Sequence, residues 1–391
     1  MDISTICVHG CDTQYDTTGA VSVPIFASST FAHPGVGEST GFDYSRSQNP
    51  TKEYLERTIT ALEDGLETIA FSSGMAAVSA LMEIFSPGDH IIASFDLYGG
   101  TFRLFTHISE KNGIRFSYAA NPQEIAASIT PATRAVFIET PTNPMMHVLD
   151  IAAVSKITKK KSILLIVDNT FLTPIFQKPL SLGADVVLHS GTKYLGGHND
   201  ALAGMLTVRN ESLAERLRFI AKTTGACISP FESFLLIRGI KTLAVRMERH
   251  QKTAFAVAQW LTEHTAAGQK KITKVYYIGL RDHPDYAISR RQASGFGGMI
   301  SFSVSDEETA KSILENVKII KYAESLGGTE SLITYPVLQT HADLPQDERE
   351  ARGITGCLLR LSIGLEAEND IIGDLQQALC GKAPRARKGC S

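Results

Sequence analysis

The chain has 391 residues, 43% apolar and 20% charged, with a formal net charge of −3. That composition belongs to a folded globular protein large enough for more than one domain, and it excludes a disordered chain. The slight negative balance provides no basic face for nucleic acid. No apolar run approaches the roughly 20 residues of a membrane helix, and the start Met1-Asp2-Ile3-Ser4 carries neither a basic nor an apolar leader stretch. Six cysteines, Cys7, Cys11, Cys227, Cys357, Cys380 and Cys390, are scattered without a C-x-x-C pair. Neither a disulfide framework nor a metal site is expected from them. Free thiols point to a reducing, cytoplasmic compartment. The basic stretch 382–388 reads as a solvated end.

In chain order, residues 1–50 are rich in Ser, Thr, Gly and Pro and weakly periodic. They predict an extended arm. A lone subunit gains little from such an arm, whereas a partner subunit to wrap gives it a role. Residues 51–63 predict a charged amphipathic helix, and 75–85 a more apolar one stopped by Pro87-Gly88. Short apolar runs follow at 90–93, 135–138, 163–167 and 186–188. Flanked by turn residues and separated by helical segments, they predict buried parallel strands. The layer type over 51–245 is therefore α/β with a mainly parallel sheet. A long helix over 242–264 leads into residues 246–391. There 299–304 and 358–363 predict strands of a smaller α+β domain.

Open α/β sheets bind ligands where their strands end. The run 163–167 ends in Asp168-Asn169-Thr170, the run 186–188 in His189-Ser190-Gly191-Thr192-Lys193, and the run 135–138 in Glu139-Thr140-Pro141-Thr142-Asn143-Pro144. One sheet edge thus collects two acids, an amide, a lysine and several hydroxyls. Pyridoxal-5′-phosphate (PLP) needs a lysine for its Schiff base, an acid for its pyridine nitrogen and donors for its phosphate. Lys193 and Asp168 supply the first two. Ser73, Gly74 and Met75 open the apolar helix, where backbone N–H groups receive phosphate and glycine allows close approach. Ser190 and Thr192 add hydroxyls. Taken singly, Ser-Ser-Gly is also an ordinary helix cap and Asp-Asn an ordinary turn. The order of the signals along one sheet carries the reading.

These motifs resemble the Cys/Met-metabolism PLP enzymes over about residues 23–379. The resemblance is carried by Tyr44-Ser45-Arg46 with Asn49-Pro50-Thr51, by Phe71-Ser72-Ser73-Gly74-Met75 and by Asp96-Leu97-Tyr98-Gly99-Gly100-Thr101. Asp168-Asn169-Thr170, Ser190-Gly191-Thr192-Lys193-Tyr194, Glu324-Ser325-Leu326-Gly327-Gly328 and Leu359-Arg360-Leu361-Ser362 complete it. It implies a fold-type I PLP-dependent transferase architecture, with an arm (1–50), a large PLP-binding domain (51–245) and a small C-terminal domain (246–391). It also implies a homotetramer of two tight dimers. Tyr44 and Arg46 would then reach a neighbour's phosphate, Tyr98 would stack on the cofactor ring and move protons, and Thr170 would line the cofactor site. Glu139, Asn143, Ser325, Thr340 and Arg360 would form the substrate end.

Arg360 lies in an apolar run, where a buried guanidinium needs an anion. A substrate carboxylate held by two N–H groups serves, and so does a structural salt bridge. Enzymes of the family that handle cystathionine tend to have acids matching Asp43 and Glu324 and an arginine matching Arg103. Methionine γ-lyases usually carry Cys where this chain has Gly100. The resemblance therefore favours cystathionine as substrate or product, in synthesis or in γ- or β-elimination. An O-acylhomoserine sulfhydrylase, a methionine γ-lyase and, more remotely, a PLP aminotransferase remain open. Asp43, Glu324 and Arg103 also read as solvated rim charges.

Overall fold

The computed structural model describes residues 1–10, 19–266 and 271–380. Cys11, Cys390 and the basic stretch 382–388 lie outside the described residues. The first sheet has seven strands: β1 (Glu67–Phe71), β2 (His90–Ser94), β3 (Arg115–Ala119), β4 (Thr133–Glu139), β5 (Leu164–Asp168), β6 (Val186–Ser190) and β7 (Gly204–Val208). Their spatial order is β1-β7-β6-β5-β4-β2-β3. β3, β2, β4, β5 and β6 run parallel, and β7 is antiparallel to both β6 and β1. The mainly parallel expectation holds, with one reversed strand inside the sheet.

The continuous apolar runs follow from burial on both faces. Ile91, Ala93, Ala135, Phe137, Ile166, Val186 and Leu188 pack into one cluster. Ile92, Val136, Ile138, Leu165, Val167 and Val187 alternate with them into another on the opposite face. Neither side of these strands meets water, so neither carries polar residues until the strand ends.

The helix Pro50–Glu63 starts where Asn49 caps it, its side chain accepting from the Thr51 and Lys52 amides, with Pro50 in the first turn. It ends at Asp64, which takes the left-handed conformation at φ 55°. The helix expected over 75–85 is Gly74–Met82, capped by Ser73. Residues 83–85 close in tighter turns, with the Phe85 amide donating to the Met82 carbonyl, before Pro87 stops the chain.

The second sheet contains β8 (Ile272–Tyr276), β9 (Met299–Val304), β10 (Lys321–Tyr322), β11 (Leu332–Thr334) and β12 (Leu358–Ser362), in the order β10-β11-β12-β9-β8. The helix Leu243–Ala266 runs between the sheets. Met247 packs with Tyr194 and Leu195 of the first unit, and Ala254, Val257 and Leu261 with the second sheet.

The arm differs in part from the expectation. Residues Ile3–His9 form a helix capped by Asp2, and Cys7 is buried in the core beside Tyr54 and Leu55. Of its four apolar residues, Ile3, Ile6 and Cys7 give this short helix one face to bury, while Val8 stays exposed. The later arm is extended. It is tied to the first turn of the next helix by Phe26 N to Thr51 Oγ1 (3.0 Å) and Asn49 Nδ2 to the Phe26 carbonyl (2.8 Å).

Candidate active site

The three strand ends meet as parallel pairing dictates. Glu139 and Asp168 are register partners on the last rung of β4 and β5, and Asp168 pairs with Leu188 of β6. Partners in register point to the same face. Glu139, Asp168 and Leu188 accordingly line one cavity of about 370 Å³, joined by Ser190, Thr192 and Lys193 from the loop after β6. Tyr98, Glu324, Ser325, Thr340 and Arg360 close it from other segments. The volume lies in the range of small-molecule sites.

Lys193 Nζ donates to Ser325 Oγ at 2.8 Å. Among the described residues it has no carboxylate within ion-pair reach. Burial and the nearby Arg360 guanidinium pull its pKa down to about 8, against a weaker upward pull from Glu324. A neutral amine is therefore accessible near neutral pH, as a nucleophile or base requires. Ser325 holds a left-handed φ of 87°. Its carbonyl accepts from Arg360 at 3.0 Å, so the strained residue is gripped from both sides. The segment after Lys193 is anchored by Arg246, which is buried and donates to the Tyr194 and Gly239 carbonyls, both at 2.8 Å.

Asp168 is held by Thr170. One carboxylate oxygen accepts from the Thr170 hydroxyl at 2.6 Å and from its amide at 3.0 Å. Burial raises the Asp168 pKa above the usual carboxylate value, while these two bonds and His189 oppose the rise. Glu139 is shifted further upward, first by burial and then by the charge of Asp168. Its Oε2 accepts from the Tyr98 amide at 2.8 Å. Two adjoining acids thus have different environments: Asp168 keeps donors for its charge, while Glu139 is pushed toward the neutral acid.

Tyr98 precedes the helix Gly99–Leu104. A β-carbon at Gly100 would come within 2.5 Å of the Tyr98 ring, so the absence of a side chain there lets the ring stand where it does. A β-carbon at Gly74 would come within 3.0 Å of Ser190, so the start of helix Gly74–Met82 closes directly onto the end of β6. That junction presents a helix N-terminus, capped by Ser73, beside the hydroxyls of Ser190 and Thr192. These residues fit PLP: a low-pKa lysine, a hydrogen-bonded carboxylate opposite it and an anion-receiving helix start in one cavity.

Arg360 is buried on β12. It donates to Asn143 Oδ1 (2.9 Å), the Ser325 carbonyl (3.0 Å) and Thr334 Oγ1 (3.1 Å). Its Nε has no partner among the described residues. No carboxylate among the described residues ion-pairs with it, so the structural salt bridge that the sequence left open is absent there. Burial lowers its pKa to about 10. A buried guanidinium held by neutral groups, with one N–H unspent, suits an incoming carboxylate.

Four expected residues lie elsewhere. Tyr44 and Arg46 line a separate pocket of about 360 Å³ with Asp43, Lys52 and Lys222. Arg46 donates to the Lys222 carbonyl at 2.9 Å and sits 5.4 Å from the Tyr44 ring centroid. Asp43 accepts from Ser39 at 2.6 Å. Their positions follow the arm, which runs largely exposed over the outside of the fold. Arg103 ion-pairs with Asp343 at the surface, because it lies on a helix turn facing the segment after Thr340. Residues not singled out individually beforehand include Thr101 and Leu326, which line the cavity, and Thr334 and Arg246, which support it. Thr101 and Leu326 sat inside motifs already noted. Thr334 and Arg246 gave no signal, since their roles depend on contacts distant in sequence.

The chain matches the family model described as "Cys/Met metabolism PLP-dependent enzyme" over residues 4–380. It is 48% identical to the cystathionine gamma-synthase of Haemophilus influenzae, over 96% of this chain and 97% of that protein. It is 46% identical to a cystathionine beta-lyase of Lactococcus lactis, over 96% and 98% respectively. The crystal structure of cystathionine gamma-lyase from Lactobacillus plantarum, complexed with L-serine, superimposes with a TM-score of 0.94 at 42% identity, covering 97% of this chain and 99% of that one. Three relatives with different named activities are thus similar at comparable identity. With the cavity described above, the match over nearly the whole length settles the kinship: this chain belongs to the Cys/Met-metabolism PLP-dependent enzymes.

Proposed function

We propose that this enzyme makes or breaks a carbon–sulfur bond of cystathionine, acting as a cystathionine γ-synthase or a cystathionine γ- or β-lyase. The observation that carries the reading is the shape of the site. The 370 Å³ cavity shares Thr192, Leu202, Glu324 and Ser325 with an adjoining cleft of about 680 Å³, whose charged lining is Asp200, Glu232, Glu324 and Glu330 with the single lysine Lys321. Arg360, deep in the inner cavity, receives one carboxylate, and the acidic outer cleft suits the amine of a second amino-acid end. Cystathionine has two such ends, and methionine has one. A structure of a cystathionine gamma synthase from Xanthomonas oryzae pv. oryzae in complex with cystathionine, 38% identical, supports the substrate class.

When bound, PLP supplies the electron sink that makes the substrate α-proton removable. In this reading Lys193 holds the cofactor, and its amine then moves the substrate proton. Asp168 keeps the pyridine nitrogen protonated. Tyr98 would lie against the cofactor and supply a hydroxyl to move a proton at the leaving or entering sulfur. Ser73, Gly74, Met75, Ser190 and Thr192 receive the phosphate. Asn143, Ser325 and Thr340 line the substrate end, with Arg360 on its carboxylate. Tyr44 and Arg46 act in a neighbouring subunit of a homotetramer, which their placement outside their own cavity supports. The division into an arm to residue 50, a large domain to 245 and a small domain beyond belongs to the same proposal, as does a cytoplasmic location, supported by the free thiols of Cys7, Cys227, Cys357 and Cys380.

One product assay tests the reading. Purified enzyme receives cystathionine in one arm, and an O-acylhomoserine with cysteine in another. Pyruvate identifies a β-lyase, 2-oxobutyrate a γ-lyase and net cystathionine formation a synthase. No reaction in either arm would refute the cystathionine assignment.

A further inference from the structure

Directly behind the cavity, on the reverse face of the same strand ends, lies a closed polar network. Side chains alternate along a strand, so the neighbours of cavity-facing residues point away from it. His189 Nε2 meets Glu63 Oε1 at 2.5 Å. Asn169 Nδ2 donates to the same Glu63 oxygen at 3.2 Å and to the Gln177 carbonyl at 2.8 Å. Gln177 Nε2 returns bonds to Asn169 Oδ1 and to the Thr140 carbonyl, both at 3.0 Å. Glu63, Asn169, His189, Thr140 and Gln177 are all buried. Glu63 ends the helix Pro50–Glu63, so one carboxylate ties that helix to the residue after Asp168 and to the residue before Ser190.

Burying a carboxylate and an imidazole is unfavourable unless their hydrogen bonding is complete. Here it is incomplete: Glu63 Oε2 and His189 Nδ1 are buried without partners among the described residues. Packing alone does not account for such a pair, and unsatisfied buried groups require another explanation. We propose that the Glu63–His189 pair is a positioning device for Asp168, holding its carboxylate at the cofactor ring from the side that no ligand reaches. The inference rests on the reading of Asp168 as the partner of the pyridine nitrogen. Burial raises the Asp168 pKa, and of the titratable groups around it Glu139 on β4 is an acid and adds no stabilisation to its charge, whereas His189 on β6 opposes the rise beside the Thr170 bonds. The Thr170 bonds fix the carboxylate from the front, and the network fixes the chain on either side of it from behind. Supporting groups of this kind orient a ligand-holding residue without touching the ligand.

The test uses PLP-loaded enzyme in four forms: unaltered, His189→Gln, Asp168→Asn and the double variant. Two quantities are read: the dissociation constant for PLP, and the pH midpoint of the acid limb of kcat/KM. Without His189, Asp168 takes up its proton at higher pH. The acid limb of His189→Gln is therefore expected to move to higher pH, with PLP bound roughly tenfold more weakly. In the Asp168→Asn background the same change should add nothing to either quantity. An unmoved acid limb, or equal losses in both backgrounds, would overturn the proposal. If His189→Gln does not fold, Glu63→Gln carries the same expectations. Failure of both variants to fold would make the pair a packing element and also overturn it. An Asp168→Asn enzyme with unaltered PLP affinity and turnover would instead refute the underlying assignment of Asp168.

Discussion

The strand-end cavity and the arm pocket differ in where their charges point. In the cavity, four charged groups are committed inward, Lys193 to Ser325, Asp168 to Thr170, Glu139 to the Tyr98 amide and Arg360 to Asn143 and Thr334, while Glu324 at the rim stays exposed. In the arm pocket, Tyr44 is 47% exposed, and among the described residues Arg46 meets a carbonyl and an aromatic face but no carboxylate. The cavity has the form of a site preorganised within one chain, whereas the arm presents its groups outward. The difference separates groups that one chain gathers into a cavity from groups that it leaves at its surface.

The sharpest way to break this comparison is at the cavity. Lys193→Ala should reduce turnover by roughly 10⁴-fold, since both cofactor anchorage and proton transfer go with it; steady-state assays at saturating PLP check this. Arg360→Met should raise KM far more than it lowers kcat, with kcat/KM falling by roughly 10²–10³-fold as a buried charge-assisted contact is lost. An unchanged KM would place the substrate carboxylate elsewhere.

The arm side is tested by mixing chains. Arg46→Ala and Lys193→Ala should each be nearly inactive alone. Unfolding and refolding the two together should restore part of the activity, because a hybrid pair contains one site with both residues intact. No restoration would place Arg46 outside a shared site.

A smaller effect concerns pH. With Lys193 drawn down to about 8, its neutral fraction rises as pH passes upward through that value. PLP uptake by the cofactor-free protein should therefore accelerate from pH 7 to 9 with a midpoint near 8, followed by the absorbance of the bound cofactor. The smallest change is expected at the rim. Arg103 and Asp343 are both about half exposed, so Asp343→Asn should leave KM within about threefold. A tenfold change would show that freeing Arg103 alters substrate binding.

What could be read in the sequence follows the same division. β2, β4, β5 and β6 were visible because burial on both faces leaves short apolar runs, and β9 and β12 because apolar residues still dominate around Ser301, Ser303 and Arg360. Their ends were visible because polar residues first become possible there, which exposed Asp168, Glu139 and Lys193. β3 was not visible: it is an edge strand whose Arg115, Ser117 and partly covered Tyr118 break the pattern. β7 begins with Gly204, where a β-carbon would meet the Ser73 carbonyl at 2.1 Å. Glycine there serves close packing but reads as a turn. The helix Ile3–His9 lay inside a segment whose composition suggests irregular chain. Arg103 was noticed for its charge, but a local pattern carries no information about Asp343, 240 residues away.

The account depends most on covalent attachment of the cofactor at Lys193, facing Asp168. Reducing the PLP-loaded enzyme with borohydride and mapping its peptides by mass spectrometry tests this directly. The expected result is a single phosphopyridoxyl group on Lys193. The label on another lysine, with Lys193 unmodified, would contradict it.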